Sequence, residues 1–193
     1  MSEHVLTEST RRRLSDRQAG TVRRLTDAAV AEVQQTGFEG LTVRNVARRA
    51  GVAPATAYTY FASKNHLITE VFWRRLSALP PVEPSAAAPR ERVVAVLREI
   101  ALLVSDEPAL AAACTSAMLG ADPNVQELRL RIGRTIRRRL MAALGTEAGA
   151  NVDERVVNAL EYVYAGALVH AGMGYTSYTE IADRLTEVAE LLL

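Results

Sequence analysis

The sequence predicts an all-α protein in two units, and three observations carry that reading. Ala, Leu, Val and Arg dominate a 193-residue chain that is 49% hydrophobic and 5% aromatic, a composition that favours helices. Apolar residues recur three and four apart along most of the chain, the spacing that gives a helix one buried face. The prolines fall between these stripes, at Pro54, Pro80, Pro81, Pro84, Pro89, Pro108 and Pro123, where they can open or end helices without breaking one.

Residues 1–14 read as a flexible basic arm. Its Arg11, Arg12 and Arg13 are either a minor-groove contact ahead of a DNA reader or a solvated charge run. Ser15 and Asp16 can start a first helix, running from about Arg17 to Thr36 with Val22, Leu25, Ala29 and Val33 inward and Gly37 ending it. Phe38 and Leu41 close the small core of the first unit, residues 15–62.

That unit is organised around Leu41 to Leu67, LTVRNVARRAGVAPATAYTYFASKNHL. Thr42 is an N-cap candidate for a helix whose Val43, Val46 and Ala47 share one face while Arg44 points elsewhere. Gly51 permits a sharp reversal, and Pro54 suits the first turn of a short helix ending near Tyr60. Ala53, Pro54 and Ala55 are small enough for close approach to a groove floor, and Thr56, Tyr58, Thr59 and Tyr60 offer hydroxyls to phosphates or base edges. Ser63 caps a further helix. Lys64 in its first turn is unfavourable for the helix dipole unless a phosphate sits beside it. Two short helices around a tight turn make a helix-turn-helix.

The run Leu41-Thr42-x-Arg44-x-x-Ala47, then Gly51-Val52-x-x-x-Thr56-x-Tyr58-x-Tyr60-Phe61-x-Ser63-Lys64-x-x-Leu67, resembles the DNA-binding domain of the tetracycline-repressor (TetR) family, over about residues 15 to 75. The resemblance implies a base contact for Arg44, phosphate or groove contacts for Thr56, Tyr58 and Tyr60, and a phosphate contact for Lys64. It also implies a homodimer paired through its final two helices on a palindromic double-stranded DNA operator. One departure is Ala57, where the family usually carries a larger aliphatic residue.

The second unit, residues 63–193, begins with a connecting helix over 63–79 whose Leu67, Ile68, Val71, Phe72 and Leu76 carry more apolar surface than three helices can cover. Four prolines in residues 80 to 89 mark the boundary beyond it. Helices follow over Arg90–Val104, Pro108–Leu119, Pro123–Leu144, Asp153–Met173 and Thr179–Leu193. The candidates for a ligand pocket are Trp73, Leu97, Leu103, Met118, Leu128, Ile132, Tyr162 and His170; the alternative for each is a core or structural residue, and Cys114 and Met118 share one face. The Pro123 helix also carries Arg129, Arg131, Arg134, Arg137, Arg138 and Arg139, a solvated face paired with acids or a site for an acidic partner. Leu160, Val163, Gly166, Ala167, Ile181, Leu185, Val188 and Leu192 form two stripes that pair with a second copy or pack within the monomer.

Charge separates the units: residues 1 to 76 hold 12 Lys/Arg against 7 Asp/Glu, a net +5, and residues 77 to 193 hold 11 against 15, a net −4. The basic part is the electrostatic footprint of DNA binding. A single cysteine excludes an internal disulfide, and no Gly-rich phosphate loop, metal-ligand set or nucleophile with its base is present, so neither a cofactor nor an enzymatic activity is expected. The N-terminus lacks a signal-peptide core and no apolar run reaches the ~20 residues of a membrane span, so a cytoplasmic protein without membrane contact is expected. The sequence thus predicts a one-component transcriptional regulator, a repressor released by a small lipophilic effector. The alternative is a DNA-binding protein of this fold controlled by a protein partner or organising DNA.

Overall fold

The computed structural model describes residues 16–83, 87–145 and 152–193, and among them are nine α-helices and no strand. Arg11, Arg12 and Arg13 lie outside the described residues. The first helix, α1 (Asp16–Gly40), buries Val22, Leu25, Ala29 and Val33 completely, and its helical geometry breaks at Gly37, whose φ of 66° is a left-handed conformation open to glycine. Truncating Leu25 to Ala would cost roughly 2–5 kcal/mol, because its surroundings cannot collapse fully into the space.

Local chemistry sets the next two elements, α2 (Val43–Arg49) and α3 (Pro54–Tyr60). Thr42 accepts the Asn45 amide at 3.1 Å and so caps α2. The turn after α2 is a Schellman motif: Gly51 at φ 63° donates its amide to the Arg48 carbonyl at 3.2 Å, and Val52 donates to Ala47 at 2.9 Å. Two of the helix's last carbonyls are satisfied there, and Val52 is brought back into the core. On α3 only Ala57 is buried; the small side chain at this position is fully covered.

The fourth helix, α4 (Lys64–Ala78), is capped by Ser63 and buries every residue from His66 to Phe72. A helix covered all round must have neighbours on every side. Here α1, α6 (Pro108–Leu119) and α7 (Pro123–Leu144) all pack against it, and α1 and α6 pack on each other as well. The remaining helices are α5 (Pro89–Ala101), packed on α7 and on α9 (Tyr178–Leu192), and α8 (Glu154–Gly172), packed on α6, α7 and α9. Proline stands at the start of α3, α5, α6 and α7. At Gly172 an added Cβ would overlap the Thr115 side chain, so glycine lets α8 approach α6 closely.

Candidate nucleic-acid interface and regulatory core

Helix α3 presents almost its whole surface. Ala53, Pro54, Ala55, Thr56, Tyr58 and Thr59 are exposed, Tyr60 is half-buried, and Thr42 and Arg44 are exposed at the start of α2. A short helix that buries one alanine contributes little to the core, and its sequence is free to serve contact with something else. Thr59 donates its hydroxyl to the Thr56 carbonyl at 2.6 Å, so that group is closed on its own helix. Arg44 has no hydrogen bond or ion pair within the described residues.

Lys64 is not a free cation. Its ammonium donates to the Phe38 carbonyl at 2.9 Å, lies 4.4 Å from the centre of the Phe38 ring, and is 3.9 Å from a Glu39 carboxylate oxygen. The lysine ties the start of α4 to the end of α1, and a phosphate contact would use its remaining donors.

Two arginines escaped the sequence reading. A cleft of about 540 Å³ runs between the start of α1 and α3, lined by Arg17, Thr21 and Arg24 on one side and Thr56 and Tyr60 on the other. Arg17, Thr21 and Arg24 are spaced four and three apart, one polar face of α1 that flanks the buried Val22 and Leu25. That period was readable in the sequence; what was missing was the packing that sets this face beside α3.

The C-terminal unit grips α4 at both ends. Ser63 donates its hydroxyl to Asp122, the residue capping α7, and Arg75 pairs with Glu107, which also accepts from Gln34 of α1 at 3.1 Å. Between these points Glu70 is fully buried and holds the Arg74 Nε at 2.9 Å. Such a buried pair fixes geometry more than it adds stability.

The expected pocket residues divide. Leu97, Leu128 and Ile132 are buried, and Trp73, Leu103 and Met118 are half-buried against the core. Tyr162 and His170 are displaced from that group: Tyr162 is 80% exposed, and His170 is exposed with its ring 5.6 Å from that of Tyr175. Helical phase explains the displacement, because the inward face of α8 runs through Val157, Leu160, Tyr164 and Ala171, and a step of two residues from Leu160 turns Tyr162 about 200° away. The inward aromatic is Tyr164, whose phenol burial pushes well above its ordinary pKa. Burial likewise pushes the Cys114 thiol up to about 12, outweighing the lowering by Arg75, so it stays a protonated, unreactive filler.

The expected dimer stripes divide in the same way. Leu160, Ile181 and Leu185 are buried inside the protomer, Val163, Ala167, Val188 and Leu192 are half-buried, and Gly166 is exposed. The outward apolar side chains are instead Tyr162, Met173, Tyr175 and Leu191. On the arginine face of α7, Arg137 pairs with Glu161 at 2.7 Å, Arg131 with Glu127 at 2.5 Å and Arg139 with Glu99. Arg129 donates to the Gly120 carbonyl, and Arg134 and Arg138 are exposed. Among the described residues no cluster suited to a metal ion occurs and no helix is long and apolar enough to cross a membrane.

Comparison with known proteins agrees with this geometry. Residues 25–71 match the family model for bacterial regulatory proteins of the tetR family, and residues 87–192 match that for a tetracyclin repressor-like C-terminal domain. An uncharacterized HTH-type transcriptional regulator of Mycobacterium tuberculosis is 49% identical over 179 residues, covering 92% of this chain and 82% of its own. The HTH-type transcriptional repressor KstR of Rhodococcus jostii is 31% identical over 174 residues, covering 89% of this chain and 82% of its own. A solved TetR transcriptional regulator from Rhodococcus sp. RHA1 has a TM-score of 0.73 at 25% identity, over 88% of this chain and 95% of that one. The FadR regulator of Bacillus subtilis in complex with stearoyl-CoA shares the fold, with a TM-score of 0.63 at 18% identity over 86% of this chain and 96% of its own. These relatives are regulators of transcription and not enzymes. With residues 25–71 and 87–192 both matched, the chain belongs to the TetR family of helix-turn-helix transcriptional regulators.

Proposed function

We propose that this regulator is a cytoplasmic repressor that binds a pseudo-palindromic operator as a homodimer and releases it when a small molecule occupies the C-terminal unit. The observation that carries the reading is α4: it begins beside the reader at Lys64, is buried all round from His66 to Phe72, and ends in the C-terminal unit at Ala78. One rigid element shared by both units converts movement at its far end into reorientation at its near end. In this reading α3 enters the major groove, Arg44 reads a base edge, and Thr42, Thr56, Tyr58, Tyr60, Arg17 and Arg24 hold phosphates. Two readers related by a twofold axis then fall about 34 Å apart, one turn of DNA.

Selection from random duplexes with the purified protein tests this. Enrichment of an inverted repeat supports it; enrichment of a single uninterrupted site, or of none, overturns it. The close coverage of Leu97, Leu128 and Ile132, at 1%, 2% and 6% exposure, favours a second reading in which a protein partner takes the place of the small molecule. Release of the selected operator by a compound library decides for the first reading, and failure across it for the second.

A further inference from the structure

Beyond the last turn of α4, residues 79–83 pass between α4, α5 and α7 and leave a cleft on each side. The cleft toward α5, about 360 Å³, contains Glu83 and Glu99 as well as Arg92 and Arg139, so its charges balance. The cleft toward α7, about 270 Å³, is lined by Arg138 and Arg139 and by no acidic residue. Its α7 wall is Thr135, Arg138, Arg139 and Ala142, one helix face by spacing, and Leu76, Leu79 and Val82 form the apolar wall opposite.

Three donor groups of this second cleft are left without acceptors: the Ser77 hydroxyl, the Arg139 Nε–H and the Arg138 guanidinium. The Ser77 hydroxyl oxygen is buried and has no hydrogen-bond partner. Arg139 gives one terminal nitrogen to Glu99 and the other to the Pro80 carbonyl at 2.7 Å, yet its Nε is buried and unpartnered in a side chain only 11% exposed. Arg138 is exposed and has neither hydrogen bond nor ion pair among the described residues. Burying unpaired donors costs stability, and a site lined by them gains when an acceptor arrives.

We propose that this cleft binds the carboxylate of a small amphipathic acid, with Arg138, the Arg139 Nε–H and the Ser77 hydroxyl on its oxygens and Leu76, Leu79 and Val82 against its hydrocarbon. The inference rests on the reading of the C-terminal unit as the effector-binding part and names the effector's class. Arg138, a guanidinium with no acid beside it, and the unpaired Nε–H of Arg139 select an anion, and the apolar wall selects a carbon chain over a bare ion. The volume lies just below the ~300–1,000 Å³ typical of ligand pockets, which selects a compact molecule. An occupant would bear on Leu76 and Ser77, the last turn of the helix whose first turn carries Lys64.

The test titrates octanoate into the full-length protein and follows the fluorescence of Trp73, the single tryptophan, one turn before Ser77 on α4. Octan-1-ol and octylamine serve as controls. Saturable binding of octanoate, at least tenfold weaker in Arg138→Gln and in Ser77→Ala and absent for the amine, supports the proposal. Ser77→Ala should also melt no lower than the parent without ligand, since it removes an unpaired hydroxyl. Equal binding by both variants, equal binding of the alcohol or amine, or no saturable binding overturns it. Operator release is measured in parallel. Octanoate binding that Arg138→Gln abolishes but that leaves DNA binding unchanged supports the site and removes the effector reading. A compound that releases DNA equally from the parent and Arg138→Gln, where octanoate does not bind, supports the effector reading and overturns this site.

Discussion

The Ser63 hydroxyl donates to the Asp122 carboxylate, and each of these side chains is at the same time the N-cap of its own helix. Ser63 accepts the His66 amide at 3.0 Å, and Asp122 accepts the Asn124 amide at 2.8 Å. The contact pins the start of α4 to the start of α7, while residues 76–79 border Thr135 to Ala142 near the other end of α7. The two helices therefore run side by side in the same direction, and a shift of α7 would bear on the start of α4 both along the length of α4 and directly through this joint.

Replacing Asp122 by Ala should remove the α7 cap and the joint together. Loss of an N-cap costs ~0.5–2 kcal/mol, which urea unfolding will read as a lower midpoint with an unchanged slope. The pH dependence follows from the carboxyl itself. Burial raises its pKa, but hydrogen bonds from Ser63 and from the side chain and amide of Asn124, with His66 nearby, lower it further, so the net value lies below 3.8. A carboxylate with a depressed folded-state pKa stabilises the fold fully above its unfolded value and loses that contribution as pH falls through the folded one. The stability gap between the parent and Asp122→Asn should be constant from about pH 5 to 8 and shrink below about pH 4. A gap that persists undiminished in acid would remove the ionised carboxylate from this role.

Lys64→Ala should do more than weaken DNA binding. The ammonium holds the Phe38 carbonyl and stacks over the Phe38 ring, so its loss loosens the junction of α1 and α4. A hydrogen bond from a charged donor is worth roughly 1.5–3 kcal/mol, and a partly exposed one sits at or below the bottom of that range. Thermal denaturation without DNA should show a lower midpoint. An unchanged midpoint with weakened DNA binding would mean that the lysine serves the phosphate alone.

The helices were legible because their signals are local. Thr42, Gly51, Pro54 and Ser63 act on the amides and carbonyls beside them, so the cap, turn and start of each element could be named from the chain alone. What the chain hid was helix-to-helix phase. Tyr162 and Tyr164 are equally apolar neighbours on α8, and only packing against α6 and α7 shows that the second is inside and the first outside. Leu160, Ile181 and Leu185 were ambiguous for the same reason, since a stripe buried in a protomer and one buried in a dimer have the same period. Arg17 and Arg24 needed the α1–α3 cleft before their shared face had any meaning.

Arg44 and Arg17 should fail differently. Arg44→Ala at the start of α2 should cost ~1–3 kcal/mol on the cognate site and relax preference at one base position, if that side chain reads a base edge. Arg17→Ala, in the cleft beside Tyr60, should weaken cognate and scrambled duplexes evenly and reduce the salt slope by about one unit, as loss of one phosphate contact does. Fluorescence anisotropy at several salt concentrations distinguishes them. Equal losses on both duplexes for both variants would take Arg44 out of base reading.

Gly166 separates the fold of the protomer from its assembly. A Cβ built there meets nothing within 4 Å, so a side chain begins in open space, and replacing a mid-helix glycine by a good helix former should stabilise an isolated α8 by roughly 0.5–1 kcal/mol. Tyr162 on the same helix and Met173, the residue capping its end, are exposed apolar groups, at 80% and 58%, which is the character of a surface covered by a partner. If α8 of a second copy lies across Gly166, a leucine there must prise the two helices apart. Gly166→Leu should therefore leave the melting of a diluted protomer unchanged or raised while shifting the protein toward monomer in sedimentation, and with the dimer should go the affinity for an inverted-repeat operator. A Gly166→Leu protein that sediments as the parent does would place the dimer contact elsewhere on the surface and leave Tyr162 without this explanation.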